Sequence, residues 1–126
     1  MKPEQVLHRA VAGFLRAALK PPTIFTTFPA GGGGRVRGAQ LKAMGLAKGF
    51  PDLIVIHPAL HPGFSLGVGL ELKAGRGRLS PEQVAMRGAF GRAGAFYFVC
   101  RSVEDVEAAL WEAQVPLHAS VMGRVA

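Results

Sequence analysis

Cysteine occurs once in 126 residues, at Cys100, which excludes an intrachain disulfide and any cysteine-based zinc cluster. It closes the apolar run Ala95-Phe96-Tyr97-Phe98-Val99 and is expected to pack there as a small hydrophobe rather than serve as a reactive thiol. Long apolar stretches are missing too. None approaches the ~18 residues of a membrane span, and the opening Met1-Lys2-Pro3-Glu4-Gln5 passes into an amphipathic pattern without a signal-peptide core, so a cytoplasmic protein with no membrane partner is expected. Acidic residues are scarce, eight against fifteen Lys and Arg, for a net charge of +7. Four of those acids, Glu104, Asp105, Glu107 and Glu112, crowd the last helical segment, leaving Glu4, Asp52, Glu71 and Glu82 in a stretch of about +10 over residues 1 to 101. Such a surface suits a polyanion, nucleic acid ahead of an anionic membrane. The glycine run Gly31 to Gly34 lacks the Gly-Lys-Ser/Thr that would make it a nucleotide loop. It is expected instead to drape over nucleic acid. His57 and His61 are spaced like metal ligands, but Pro58 and Pro62 forbid the helix that would align them, and zinc is not expected there.

What is present fits one domain over residues 1–115 with a C-terminal tail over 116–126. Apolar residues recur at Val6, Leu7, Ala10, Val11, Phe14, Leu15 and Ala18, the spacing of a helix with one buried stripe from Pro3 to about Leu19. Thr23 to Phe28 reads as a strand and about Val36 to Met44 as a basic helix. Asp52 to Ile56 and Leu66 to Lys73 read as strands that pair antiparallel through a hairpin-like connection. Ser80-Pro81-Glu82-Gln83 carries the marks of a helix start, running to about Ala93. Ala95 to Cys100 gives a buried strand, and Ser102 caps a final helix. The order predicts an α/β fold, a mixed β-sheet flanked by helices.

Asp52 and the run Glu71-Leu72-Lys73 stand beside strand-like apolar runs, where a buried charge costs several kcal/mol unless a partner or a metal compensates it. Residues i and i+2 of a strand share a face, so Glu71 and Lys73 emerge together, opposite Leu70 and Leu72. Two carboxylates and an ammonium converging at one sheet edge suit Mg²⁺-assisted phosphodiester hydrolysis. The plain alternatives are an Asp52 that merely ends a turn after Pro51, and Glu71 and Lys73 as outward residues of an edge strand. Glu4 also complements a helix dipole, and Gln83 completes a capping box with Ser80.

In order along the chain, Lys42-Ala43-Met44-Gly45, Lys48-Gly49-Phe50-Pro51-Asp52-Leu53, Gly69-Leu70-Glu71-Leu72-Lys73, Gly77-Arg78-Leu79-Ser80-Pro81-Glu82-Gln83 and the closing Arg101-Ser102-Val103 resemble the VRR-NUC family of PD-(D/E)xK nucleases, in particular its small stand-alone members from phages and bacteria. The resemblance covers nearly the whole chain and implies a restriction-endonuclease-like core. It implies that Asp52 and Glu71 hold Mg²⁺ or Mn²⁺, with the Leu72 carbonyl as a third ligand and Glu4 reaching the metal shell. Lys73 would orient or deprotonate the attacking water, and Gln83 would bind Lys73, water or phosphate. Family members usually carry Gln where this chain has His8, and many carry Asn where it has Pro29-Ala30. Arg35, Arg37, Lys42, Lys48, Arg76 and Arg78 are expected to contact phosphates. The implied activity is a DNA endonuclease selective for branched, flap or junction DNA, including the Holliday junction, leaving 5′-phosphate ends and acting as a homodimer or higher oligomer. A non-catalytic DNA-binding module and an RNA-directed nuclease are the alternatives.

Overall fold

A computed structural model describes residues 1–28, 34–58 and 63–123. The predicted elements appear in the predicted order: α1 (Pro3–Ala18), β1 (Ile24–Thr27), α2 (Gly34–Ala43), β2 (Leu53–Pro58), β3 (Ser65–Leu72), α3 (Pro81–Arg92), β4 (Phe96–Cys100) and α4 (Val103–Glu112). The four strands form one mixed sheet in the order β1-β2-β3-β4. β1 to β3 are antiparallel neighbours, whereas β4, returning through α3, lies parallel to β3. A parallel partner needs such a crossover, and α3 supplies it. β2 runs two residues beyond its predicted end, because Pro58 takes the last position opposite Ser65, where a residue without an N–H is tolerated.

Alternation along the strands assigns the two faces. Leu53, Val55, Val68, Leu70, Leu72 and Cys100 point into the main core, where they meet Val11, Leu15 and Ala18 of α1 and Val106, Ala109 and Leu110 of α4. Removing one such buried Leu side chain costs about 2–5 kcal/mol in a typical core. Cys100 is buried, and burial pushes its thiol up to about 12, as a packed hydrophobe requires. The stripe predicted for α1 is narrower than its sequence pattern, since Val6 is exposed at the rim.

The opposite face carries α3. Gly69 of β3 has no room for a side chain, because a Cβ there would sit 2.6 Å from Pro51 Cγ and 2.9 Å from Phe90 Cε2. That bare backbone lets the Pro51 ring and the helix press onto the middle of the sheet. Segment 116–123 packs back on the body. Leu117 bridges Leu19, and the His118 N–H donates to the Ala18 carbonyl at 2.6 Å. The buried Glu107 carboxylate accepts from Ser120 Oγ at 2.8 Å and Val121 N at 2.6 Å.

Candidate active site at the ends of the central strands

Asp52 and Glu71 meet where β2 begins and β3 ends. β2 and β3 are the two central strands, so the site lies at strand ends and not along a lateral edge. Glu71 is 3 % exposed with strands on both sides, which removes its reading as an outward residue of an edge strand. The register Leu53↔Leu70 would, two residues further, set Pro51 opposite Leu72. Proline has no N–H to offer, so the ladder stops there. Asp52 Oδ2 instead accepts from the Leu72 N–H at 2.7 Å, and the Leu72 carbonyl is left without its ladder donor on the same side. One proline thus ends the strand pairing, ties the Asp52 carboxylate to β3 and frees a carbonyl oxygen beside it.

Gly49 sets the approach to this turn. Its φ is +83°, and a Cβ would overlap the Glu82 carbonyl and come within 2.9 Å of Gln83 N. Only glycine takes both the conformation and the contact without strain. The Gly49 carbonyl accepts from the Tyr97 hydroxyl at 3.2 Å, fixing the turn from the sheet side. Burial, followed by the charges of Glu71 and Asp52, raises the Tyr97 pKa, so the phenol stays a donor.

Gln83 performs two tasks with one amide. Its Oε1 accepts from Ser80 N at 2.8 Å while Ser80 Oγ accepts from Gln83 N at 3.1 Å, the predicted capping box. With the oxygen committed to the cap, Nε2 turns to the strand end and donates to Glu71 Oε2 at 3.0 Å. Lys73 Nζ lies 3.7 Å from the same oxygen. The other oxygen, Glu71 Oε1, is buried and meets no hydrogen-bond partner among the described residues. The Asp52 carboxyl is near enough to act on Glu71 both through its charge and as a hydrogen-bonding neighbour, and since ionised carboxylates offer only acceptors, a proton or a cation is needed to join the two. Desolvation first, then the Asp52 charge, push the Glu71 pKa up to about 8 against the opposing pull of Lys73; Glu4 adds a smaller push. A pair of hard oxygen donors, an orphaned carboxylate oxygen and a free carbonyl make a donor set suited to Mg²⁺ or Mn²⁺.

Two cavities open onto Asp52. One, of about 300 Å³, is lined by Glu4, Gln5, His8 and Arg9 of α1 together with Asp52 and Leu72. The other, about 770 Å³, runs between α2 and the Lys48–Asp52 turn, with Arg35, Lys42 and Lys48 on its walls. Of the six basic residues expected at phosphates, these three are brought to the site. Arg37 is exposed on α2 away from the cavity walls, while Arg76 and Arg78 stand exposed in the loop after Lys73. That loop is tied down by Arg101 Nη1, which donates to the Gly75 carbonyl at 2.8 Å. Glu4 reaches the cavity wall but forms no cluster of three acidic, His or Cys side chains with the carboxylate pair among the described residues.

Arg9 and Gln5 were not singled out from the sequence, although their i, i+4 spacing, parallel to that of Glu4 and His8, puts all four near one face of the first turns of α1. His8 bonds Thr27: the Thr27 hydroxyl donates to the Asp52 carbonyl at 2.9 Å, leaving its oxygen to accept from His8 Nε2 at 3.0 Å. His8 therefore braces the Asp52 backbone through Thr27. His57 is buried in β2, where burial lowers its pKa. His61, Pro62, the Pro29-Ala30 turn and Gly31 to Gly33 lie outside the described residues, while Gly34 opens α2.

No family model matches the sequence, and no curated protein is similar to it. The fold, however, is shared with a solved structure described as a VRR_NUC domain protein, at a TM-score of 0.66 and 20 % identity, covering 89 % of this chain and 88 % of that chain. The chain thus has the VRR-NUC fold, a mixed sheet flanked by helices.

Proposed function

We propose that a protein with this fold and this strand-end carboxylate pair is a Mg²⁺- or Mn²⁺-dependent DNA endonuclease. The observation that carries the reading is a buried Glu71 coupled to Asp52, with one carboxylate oxygen, Oε1, that has no hydrogen-bond partner among the described residues. Such an arrangement is repulsive as it stands and becomes favourable around a hard cation. Asp52, Glu71 and the Leu72 carbonyl would hold the ion, with Glu4 at its outer shell. Bound there, the ion supplies Lewis acidity toward water and phosphate near neutral pH.

The chain's own groups do the rest. Gln83 donates to Glu71 Oε2 and so holds the carboxylate in place. Lys73, largely shielded from solvent beside Glu71, orients the attacking water and offsets the negative charge that grows at phosphorus. Arg35, Lys42 and Lys48 on one side and Arg9 on the other border Asp52 and suit the phosphates flanking the scissile bond. These cations suit phosphates and not base edges, so selection by backbone, shape or branch point is part of the proposal. Two copies related by a two-fold axis would place two centres on two strands, as a junction resolvase needs.

The test is incubation with labelled single-stranded, duplex, flap, splayed and four-way DNA, and with a matched RNA stem-loop, with Mg²⁺, Mn²⁺ or a chelator. Cleavage of branched DNA that requires the metal supports the proposal. Binding without cleavage in either metal would leave a DNA-binding module, and preferred cutting of the RNA would make it an RNA-directed nuclease.

A further inference from the structure

We infer that the 770 Å³ groove beside Asp52 takes one unpaired nucleotide of the substrate strand, its base against Phe28 and Phe50 and its phosphates against Arg35, Lys42 and Lys48. The inference rests on the nucleic-acid reading of the site and adds that an unstacked base is part of what is recognised.

The floor of the groove is aromatic and stiff. Phe28 and Phe50 meet edge to face at 5.4 Å, Phe50 rests on Phe90 at 5.1 Å, and Phe90 on Tyr97 at 5.4 Å. This row of rings ends in the hydrogen bond from Tyr97 to Gly49, so the outer two rings stand on a braced column. Those outer two remain 37 % exposed each, although both lie against a cavity. A planar ligand fits such a surface, and every nucleobase has a π face to offer.

The facing wall is α2. Arg35, Gly38, Ala39 and Lys42 line the groove at i, i+3, i+4 and i+7, one helical face with cations at its ends and small residues between them. A helix that packed on the body would carry apolar residues there; this face leaves space. Leu41 and Leu46 add apolar lining, and Lys48 a third cation. Asp52 is the one acid among the described lining residues. An apolar, aromatic slot with a cationic rim matches a base attached to its phosphates, and its volume is in the range that encloses a small ligand. Only an unpaired base can reach the floor, since paired bases keep their faces stacked. The groove shares Asp52 with the carboxylate pair, so the nucleotide it holds is next to the scissile phosphate.

The test compares two eight-residue strands of equal charge, oligothymidylate and its all-abasic tetrahydrofuran counterpart, by fluorescence anisotropy in a chelator. The wild-type protein is expected to bind oligothymidylate about ten-fold more tightly than the abasic strand, the effect of about one stacked base. Phe28→Leu should bring that ratio close to one and Phe28→Trp should keep it. Ala39→Leu, which fills the slot from the surface of α2 without touching the ring column, should also remove it. Lys42→Ala should weaken both strands alike. A wild-type ratio near one, or a ratio that survives both Phe28→Leu and Ala39→Leu, overturns the inference. Anisotropy in a chelator reads binding alone and the incubation with Mn²⁺ reads cutting alone, so the two readings fail separately: a preserved ratio without cleavage in Mn²⁺ sinks the nuclease alone, and cleavage with a ratio of one sinks the nucleotide slot alone.

Discussion

Replacing Glu71 with Gln should stabilise the metal-free protein at alkaline pH while removing its response to metal. The Gln side chain copies the protonated acid: its oxygen still accepts from Gln83, and its NH₂ can donate to Asp52. In the wild type the folded Glu71 pKa is raised from 4.5 to about 8. Below pH 4.5 the acid is protonated in both folded and unfolded chains, and the substitution should change little. Between 4.5 and 8 the unfolded chain loses its proton while the folded one keeps it, so wild-type stability falls as pH rises, with the full deficit reached above 8. A shift of that size corresponds to about 5 kcal/mol as a ceiling. Water entry and a closer approach of Lys73 relax the ionised site, and a gain of about 2 kcal/mol is expected for Glu71→Gln at pH 8.5 in a chelator, or roughly 8 °C in Tm for a domain of this size. Millimolar Mn²⁺ should reverse the order, since an ion at a hundred times its Kd stabilises the wild type by about 2.7 kcal/mol and the variant hardly at all. Thermal melts at pH 4 and 8.5, with and without Mn²⁺, read all four corners. A variant less stable than the wild type at pH 8.5 without metal would show that the ionised Glu71 is well solvated by Lys73 and Gln83, and the repulsion argument would be wrong.

Lys73→Ala should reduce DNA cleavage by about 10²- to 10⁴-fold, the usual worth of a general acid–base group, with the folded structure retained in circular dichroism; full activity would exclude Lys73 from the chemistry. Gln83→Glu keeps an acceptor for the Ser80 N–H but sets a second carboxylate against Glu71, so the helix should survive while metal affinity and cutting change, whereas Gln83→Ala should cost about 1 kcal/mol of cap as well. Circular dichroism beside a cleavage assay separates the two variants. Gly49→Ala combines a positive φ with a clash at the start of α3 and should destabilise by more than about 2 kcal/mol in denaturant unfolding; an unchanged midpoint would refute the close approach.

Much of this arrangement was legible in the residues because it is local. The Ser80–Gln83 box, the apolar stripe of α1 and the alternation of β3 are written within a few positions of each other, and they gave elements of the right kind in the right order. Asp52, Glu71 and Lys73 stood out because isolated carboxylates are conspicuous in a basic stretch. What stayed hidden depends on partners far along the chain. Glu107 reads as one more solvated acid of α4, yet it is buried and holds Ser120 and Val121. Leu117 pairs with Leu19 across almost the whole sequence. Arg9 belongs to the site wall and Arg37 does not, a distinction made by the placing of α1 and α2 against the Asp52 turn rather than by charge. The double duty of Gln83 was readable only in part: the cap is a sequence pattern, but its effect, turning Nε2 toward Glu71, requires the sheet beneath it.

On the proposed reading, the side chains of positions 52 and 71 share one hard cation. Crystals soaked in Mn²⁺ and measured at a wavelength with strong manganese anomalous scattering should show one peak per chain, in contact with both carboxylates and with the Leu72 carbonyl, and none in crystals of Glu71→Gln. Wild-type crystals with no anomalous peak between the two carboxylates, under conditions where the soaked protein cuts DNA, would contradict the account.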